Sequence, residues 1–178
     1  MIETERLILR PWRAADRAAF AALNADREVM RHFSELLTPE QTDGMIGRIQ
    51  DRFAAHGFGF GAAERKSDGA LVGMVGLQRV APELPCAPAV EVGWRLARAH
   101  WGQGYATEAA RGWIDWGFAT QDLPEIVAFV VPENRPSQAV MTRLGMVREP
   151  ARDFEHPALP EGHRLRPHWL FALARPGA

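Results

Sequence analysis

Apolar residues recur along this chain with two periods, and each period predicts a different kind of element. Short apolar or alternating runs predict strands at residues 7–10, 58–64, 71–77, 90–96, 126–131, from 146 onward and at 168–173. Apolar spacing of three and four residues predicts helices at residues 13–23, from Thr38 onward, at 104–119 and at 137–144. This order of elements is typical of a mixed α/β domain built around one central sheet.

Polar residues add local detail to this pattern. Thr38 is a suitable N-cap, and Gln41 completes a capping box with it. Residues 29–35 predict a loop with exposed apolar and aromatic side chains, which is the kind of loop that lines a pocket. Residues 153–167 are polar and rich in His and Pro, so they predict a long loop. The polar side of the helix at 104–119 is expected to carry mutual pairs among Glu108, Arg111 and Asp115.

Composition and charge limit the class of protein. The chain has 178 residues, 47% of them hydrophobic and 24% charged, which predicts one globular domain over residues 1–178. The net charge of −1 gives no general reason to expect nucleic acid or an anionic membrane as partner. Cys86 is the only cysteine, so no internal disulfide can form. With neither a signal segment nor a stretch of transmembrane length, we expect a cytoplasmic location.

The candidate chemistry centres on a glycine turn between the strand at 90–96 and the following helix. Gly102 and Gly104 let the backbone approach an anion closely, and the first turn of the helix supplies free N–H groups. The P-loop pattern is absent, and Thr107 stands where a dinucleotide fingerprint needs its third Gly or Ala. Taken alone, the two glycines are also compatible with a tight turn that binds nothing.

The wider segment resembles a known motif. Residues 92–96 and 101–109 are similar to the acetyl-CoA motif of GCN5-related N-acetyltransferases (GNAT), and most similar to the RimJ/RimL-like branch. The family pattern is Gln/Arg-x-x-Gly-x-Gly/Ala, in which Gly104 and Ala106 match and Trp101 replaces Gln or Arg. The opening strand at 3–12, Asn134-x-x-Ser137 and the segment at 143–146 extend the resemblance over about residues 3–149.

This resemblance implies a single GNAT-like domain whose mostly antiparallel sheet, flanked by helices, splays at the acetyl-CoA site. Backbone groups of Trp94, Arg95 and Leu96 are then expected to hold pantetheine, and one of their N–H groups to polarise the thioester carbonyl. The pyrophosphate is expected to bind the turn and helix start, formed by Trp101, Gly102, Gln103, Gly104, Tyr105, Ala106 and Thr107. Asn134 is expected to contact the CoA arm.

Two residues are candidates for proton transfer. Glu91 is the candidate base, because a carboxylate in an apolar strand has its pKa raised by desolvation. Its alternative role is that of a solvated or salt-bridged strand residue, and Glu64 and His100 are weaker candidates for the base. Ser137 is the candidate donor to the departing thiolate, while a Ser near a helix start is also a common cap.

The acceptor site is the least defined part of the sequence. Trp12, His32 and Phe33 are candidates to line it, although each also suits core packing or an exposed loop. The late polar residues match no compact zinc motif, so no metal is predicted, and their loop is a candidate to approach the acceptor: Asp153, His156, His163 and His168.

Together these features predict an acetyl-CoA-dependent N-acetyltransferase. The acceptor is an amine, on a protein N-terminus or a small molecule, and transfer is direct in a ternary complex, because no cysteine occupies a motif position. The alternative is a non-catalytic CoA-binding sensor or partner module. A nucleotide-binding enzyme is disfavoured by the missing motifs, and oligomeric state, including a homodimer, stays open.

Overall fold

The computed structural model describes residues 1–177 as one mixed sheet with helices on both faces. Its strands are β1 Ile2–Glu3, β2 Leu7–Arg10, β3 Phe60–Arg65, β4 Leu71–Arg79, β5 Val90–Leu96, β6 Glu125–Val130, β7 Val147–Arg148, β8 Phe154–Glu155 and β9 Pro167–Ala174. Its α-helices are α1 Arg17–Asn24, α2 Pro39–His56, α3 Tyr105–Thr120 and α4 Arg135–Arg143. Single 3-10 turns lie at Ala14–Asp16, Arg98–His100 and Pro150–Arg152.

The sheet has the order β1-β2-β3-β4-β5-β6-β9-β7, with β8 paired to β9. Its pairs are antiparallel except β5 with β6, so the predicted mostly antiparallel sheet is confirmed. The parallel pair is in register at one place, where Glu91 lies opposite Val127. Beyond that point β5 and β6 diverge, and the sheet opens beside the last residues of β5.

The two faces of the sheet bury different helices. Alternate residues of β5 pack with α3 in the larger core cluster, among them Val90, Val92 and Leu96. Helices α1 and α2 pack on the opposite face, where they meet Ala62 of β3 and Met74 of β4. Because side chains alternate along a strand, Glu91 and Arg95 face the α1–α2 side. Among the helices of residues 1–177, none is both long and apolar enough to cross a membrane.

Several predicted boundaries were wrong. Strand β3 begins at Phe60 because Gly57, at φ +77°, ends α2 and the next two residues are a connection. Helix α4 begins at Arg135, two residues before the predicted start, because Asn134 caps it. The predicted loop at 153–167 contains β8, which pairs with the start of β9. Short strands such as β8 carry too few residues to show a period.

Two predicted environments also need correction. In the loop at 29–35, Val29 and Met30 are buried and pack against α1 and α2 rather than being exposed. On α3, Glu108 pairs with Arg6 of the N-terminal segment, not with its helix neighbours. The capping box of α2 is confirmed, since Thr38 Oγ1 accepts from the Gln41 N–H at 3.2 Å and Gln41 Oε1 accepts from the Thr38 N–H at 2.7 Å.

Candidate active site

A cleft of about 680 Å³ lies where the sheet opens. It is bounded by the end of β5, the starts of α3 and α4, and the loop after α1. Its walls include Glu28, Val29, Arg31, His32, Phe33, Trp94, Arg95, Leu96, His100, Trp101, Gly102, Gly104, Tyr105, Ala106, Thr107, Asn134, Pro136, Ser137, Ala139, Val140 and Arg143. This volume is of the size that binds small molecules and cofactors.

The glycine turn forms one end of the cleft. Gly102 and Gly104 have φ of +72° and +82°, a left-handed conformation that strains any residue with a Cβ. Gly104 is the N-cap of α3, and no side chain of residues 1–177 caps that helix start. The N–H groups of the first helical turn therefore remain available, with the positive end of the helix dipole behind them. This geometry suits a phosphate group.

The N-terminal segment holds the turn in place. Arg6 Nε donates to Glu108 Oε2 at 2.6 Å, and Arg6 Nη1 donates to the Gln103 carbonyl at 3.0 Å. The Arg6 guanidinium also lies 4.5 Å from the centre of the Tyr105 ring. Thr4 Oγ1 adds a hydrogen bond to Glu108 Oε1 at 2.6 Å. These contacts fix the first turn of α3 relative to the sheet.

Two residues of the predicted cofactor set have local structural roles. The Trp101 indole donates to the Leu96 carbonyl at 2.9 Å, which connects the turn to the end of β5 and occupies one acceptor there. Gln103 does not line the cleft, because its amide donates to the Ala99 carbonyl at 2.8 Å. The other predicted donor-site residues, from Trp94 to Thr107 and at Asn134, lie together along the cleft.

Asn134 and Ser137 meet at the start of α4. Asn134 Oδ1 accepts from the Ser137 backbone N–H at 3.3 Å, so Asn134 and not Ser137 is the helix cap. Ser137 is half-buried on the cleft wall. It is therefore available to donate a proton to a group in the cleft.

Glu91 lies at the position where β5 and β6 still pair, next to the point at which the sheet opens. It is not one of the residues of the cleft wall. Gln78 Nε2 donates to Glu91 Oε1 at 3.2 Å. Desolvation raises the pKa of Glu91 to about 7, against the smaller opposing effects of the Arg52 charge and the Gln78 hydrogen bond. A carboxylate with this pKa exchanges protons readily near neutral pH.

The weaker base candidates have other environments. Glu64 pairs with the buried Arg10 at 2.6 Å and with Arg13 at 3.1 Å, so its carboxylate belongs to a structural ion cluster. His100 lines the cleft, with its Nδ1 buried and unpartnered within the described chain. Burial lowers the pKa of His100, and it lowers that of His32 as well.

Among the predicted acceptor residues, His32 and Phe33 line the cleft and Trp12 does not. Trp12 is 5% exposed, packs on Phe20 and donates its indole N–H to the Phe60 carbonyl at 2.9 Å, which is a core position. Phe33 instead lies beneath the Arg95 guanidinium, 3.9 Å from it.

The late polar residues do not converge on one point. Asp153 pairs with Arg148, whereas His168 stacks on Phe154 with ring centres 5.4 Å apart and lies 5.3 Å from His156. Within residues 1–177 no three His, Cys, Asp or Glu side chains form a group that could hold a metal ion. Their loop does reach the acceptor side, because Arg164 Nη2 donates to the Arg31 carbonyl at 2.8 Å.

A sheet that opens beside an uncapped helix start and two left-handed glycines defines a class of protein with a cleft suited to a ligand that carries a phosphate group. Comparisons with known proteins agree. The family model described as "Acetyltransferase (GNAT) domain" matches residues 6–147. The uncharacterized N-acetyltransferase p20 of Bacillus licheniformis is 33% identical over 158 residues, which cover 85% of each chain.

Solved structures share the fold. An acetyltransferase of the GNAT family from Bacillus anthracis has a TM-score of 0.80 and 26% identity, with 98% of both chains covered. Spermidine N-acetyltransferase from Vibrio cholerae, solved with CoA and spermine, has a TM-score of 0.74 and 20% identity over 96% of both chains, a likeness of fold alone. The chain belongs to the GNAT acetyltransferase family. It is an N-acetyltransferase, and its family uses acetyl-CoA.

Sequence reasoning missed three contributors to the site. It assigned the Arg95 backbone and not its side chain, and it gave no role to Arg6 or Asn24. Arg6 falls within the opening segment that resembles the family, so a signal for it was present. Asn24 closes an ordinary amphipathic helix, and nothing in a single sequence distinguishes it from a surface residue.

Proposed function

We propose that this chain transfers the acetyl group of acetyl-CoA directly to an amine in the cleft, without an acyl-enzyme intermediate. The observation that carries the proposal is the alignment, along one cleft, of the glycine turn with the last residues of β5, which pair with β4 but not with β6. We also propose membership of the RimJ/RimL-like branch, which the segment at 3–12 and the Asn134-x-x-Ser137 pair support.

The donor binds through the backbone in this proposal. Pantetheine lies along the end of β5 near Trp94 and Arg95, as an added strand would. The pyrophosphate lies at the first turn of α3, where the N–H groups after Gly104 are free. A backbone N–H near Arg95 donates to the thioester oxygen and stabilises the oxyanion that forms there.

The chemistry then needs two proton transfers. The amine nitrogen attacks the thioester carbon, a C–N bond forms and the C–S bond breaks. The proton lost by the amine passes to Glu91, whose pKa of about 7 suits a base at neutral pH. A rise of about 3.3 Å per residue puts Glu91 roughly 13 Å from Arg95 along β5, so water carries the proton. Ser137 donates its hydroxyl proton to the departing thiolate and regains a proton from water, and Glu91 returns its proton to water, so both groups are restored.

Ligand binding and product formation test separate parts of the proposal. Acetyl-CoA is expected to raise the melting temperature, and NAD and ATP are not. Release of free CoA thiol is then measured with N-terminal peptides, polyamines, aminoglycosides and amino acids as acceptors. Tight acetyl-CoA binding without transfer to any of these amines would favour the alternative of a CoA-binding module.

A further inference from the structure

The Arg95 side chain identifies a class of acceptor. We propose that the acceptor amine carries a carboxylate and that Arg95 binds this carboxylate in the acceptor half of the cleft, which is the part lined by His32 and Phe33. This inference rests on the proposed acetyl transfer in the same cleft and adds the chemistry by which the acceptor is recognised.

Arg95 lies on the side of β5 that faces α1 and the loop after it. Its Nη1 donates to Asn24 Oδ1 at 2.7 Å, and its guanidinium lies 3.9 Å from the centre of the Phe33 ring. The glycine turn and α3 lie on the opposite face of the same strand. Arg95 is therefore oriented toward the acceptor and not toward the phosphates of the donor.

The Arg95 charge has no counter-ion in the described chain. No carboxylate of residues 1–177 lies within salt-bridge distance of it, and its Nε is buried without a hydrogen-bond partner. Burial lowers its pKa to about 10. An uncompensated cation in a desolvated position is costly, and a ligand anion removes that cost. One carboxylate balances one guanidinium.

The protein also builds a support for this side chain. Asn24 is 0% exposed, and its Nδ2 donates to Oγ1 of Thr42, also 0% exposed, at 3.2 Å. A buried polar chain thus runs from α2 through α1 to the guanidinium. Such a chain restricts the rotamers of Arg95 and holds its free edge in a fixed place.

The surroundings favour an anionic acceptor over a cationic one. Glu28 is the only carboxylate among the described residues of the cleft wall, and Arg31 pairs with it at 3.6 Å. An adjoining shallow cavity of about 290 Å³ carries Arg27, Arg31 and Arg164 against Glu35, and Arg164 also pairs with Glu133 at 3.5 Å. A polyamine would need unpaired carboxylates here, whereas a carboxylate meets a net positive wall.

Two sources can supply the same chemistry, namely the α-carboxylate of a free amino acid and an acidic side chain near a peptide N-terminus. The first test uses the unmodified protein and matched acceptor pairs. Free amino acids are compared with their amides, and peptides that begin with Asp or Glu with those that begin with Asn or Gln. We expect kcat/KM to favour the carboxylate member of one pair about 10- to 100-fold. The pair that shows the preference identifies the source.

The second test changes the arginine. Arg95→Gln should raise KM for the favoured acceptor about 10- to 100-fold and remove the carboxylate preference, while the Kd for acetyl-CoA changes little. Arg95→Lys keeps the charge and should restore part of the preference. Arg48→Gln, on the exposed side of α2, is the matched control. Melting temperatures show whether each variant is folded.

Failure of this inference differs from failure of acetyl transfer. If acetyl-CoA binds and amines are acetylated, equal kcat/KM within both pairs, or a preference for polyamines, overturns the inference alone. A carboxylate preference that persists in folded Arg95→Gln also overturns it. If no amine is acetylated, the proposed function fails first, and the inference fails with it.

Discussion

In the proposed function, the two halves of the cleft recognise their ligands by different means. The donor half presents backbone N–H groups at a glycine turn, and its side chains mainly hold that backbone in place. The acceptor half presents side chains from separate parts of the chain, such as His32 and Arg95. The donor is the same for the whole family, so one backbone shape serves it. The acceptor differs among family members, and side chains can vary without changing the fold.

The largest expected effect comes from a substitution in the glycine turn, which should weaken donor binding alone. Gly104→Glu places a carboxylate and a strained Cβ at the phosphate position, so the Kd for acetyl-CoA should rise at least about 100-fold. Isothermal titration calorimetry measures it. Gly57→Glu, at the end of α2 with φ +77°, imposes a similar strain away from the cleft and should bind acetyl-CoA normally. Normal binding by folded Gly104→Glu would exclude this turn as the pyrophosphate site.

A second substitution tests whether Glu91 is the base that accepts the proton of the amine. Glu91→Gln should lower kcat about 100-fold near neutral pH if Glu91 is the base. The kcat of the unmodified protein should rise with pH through about 7, following the pKa of Glu91. The variant should lose this step, and its deficit should shrink at high pH, where hydroxide replaces the base. Asp51→Asn, on α2, is the control, and an unchanged pH–rate profile for Glu91→Gln would assign the base elsewhere.

The same substitution has an opposite effect on stability. Because the folded state raises the pKa of Glu91 to about 7, the stability contributed by its proton is present below the unfolded pKa. It is lost as pH rises through about 7. Glu91→Gln should therefore unfold like the parent near pH 4, and should be more stable by about 3 kcal/mol at pH 8. Urea denaturation at both pH values measures this difference, and a pH-independent difference would contradict the raised pKa.

The smallest expected effect sharpens the account of the donor half. Arg6→Met removes the side-chain contacts to Glu108 and the Gln103 carbonyl, while the backbone N–H of residue 6 still donates to Glu108. The Kd for acetyl-CoA should rise about threefold, since an exposed ion pair contributes little by itself. KM for the acceptor should stay the same. A larger change in the acceptor KM would mean that Arg6 supports both halves.

The sequence allowed the donor half to be predicted more fully than the acceptor half. The glycine turn, the helix after it and the strand before it are contiguous, so their pattern and their contact in space coincide. The opening of the sheet depends on β5 and β6, which are separated by all of α3, and it was predicted only through resemblance. The Asn24–Arg95 bond joins residues 71 positions apart, and no local period reports such a contact.

Errors in the predicted elements have the same origin. The start of α4 was misplaced because Asn134 and Ser137 are both good capping residues, and only the backbone shows which one caps. Trp12 was a candidate for the acceptor site with core packing as its alternative, and its indole N–H finds a partner in the core. Whether a side chain points toward a cleft that distant elements form depends on the tertiary structure, which the local pattern of the sequence does not show.

The position of Trp101, which its hydrogen bond to the Leu96 carbonyl fixes, has a practical consequence. Trp101 is 40% exposed at the cleft, whereas Trp12 and Trp113 are about as buried as the core around them, at 5% and 4%. A ligand that covers Trp101 takes its ring out of water, and indole emission shifts to shorter wavelength in an apolar environment. In the proposed binding mode, Trp101 therefore reports donor binding by its intrinsic fluorescence, on top of the emission of the five other tryptophans of the chain.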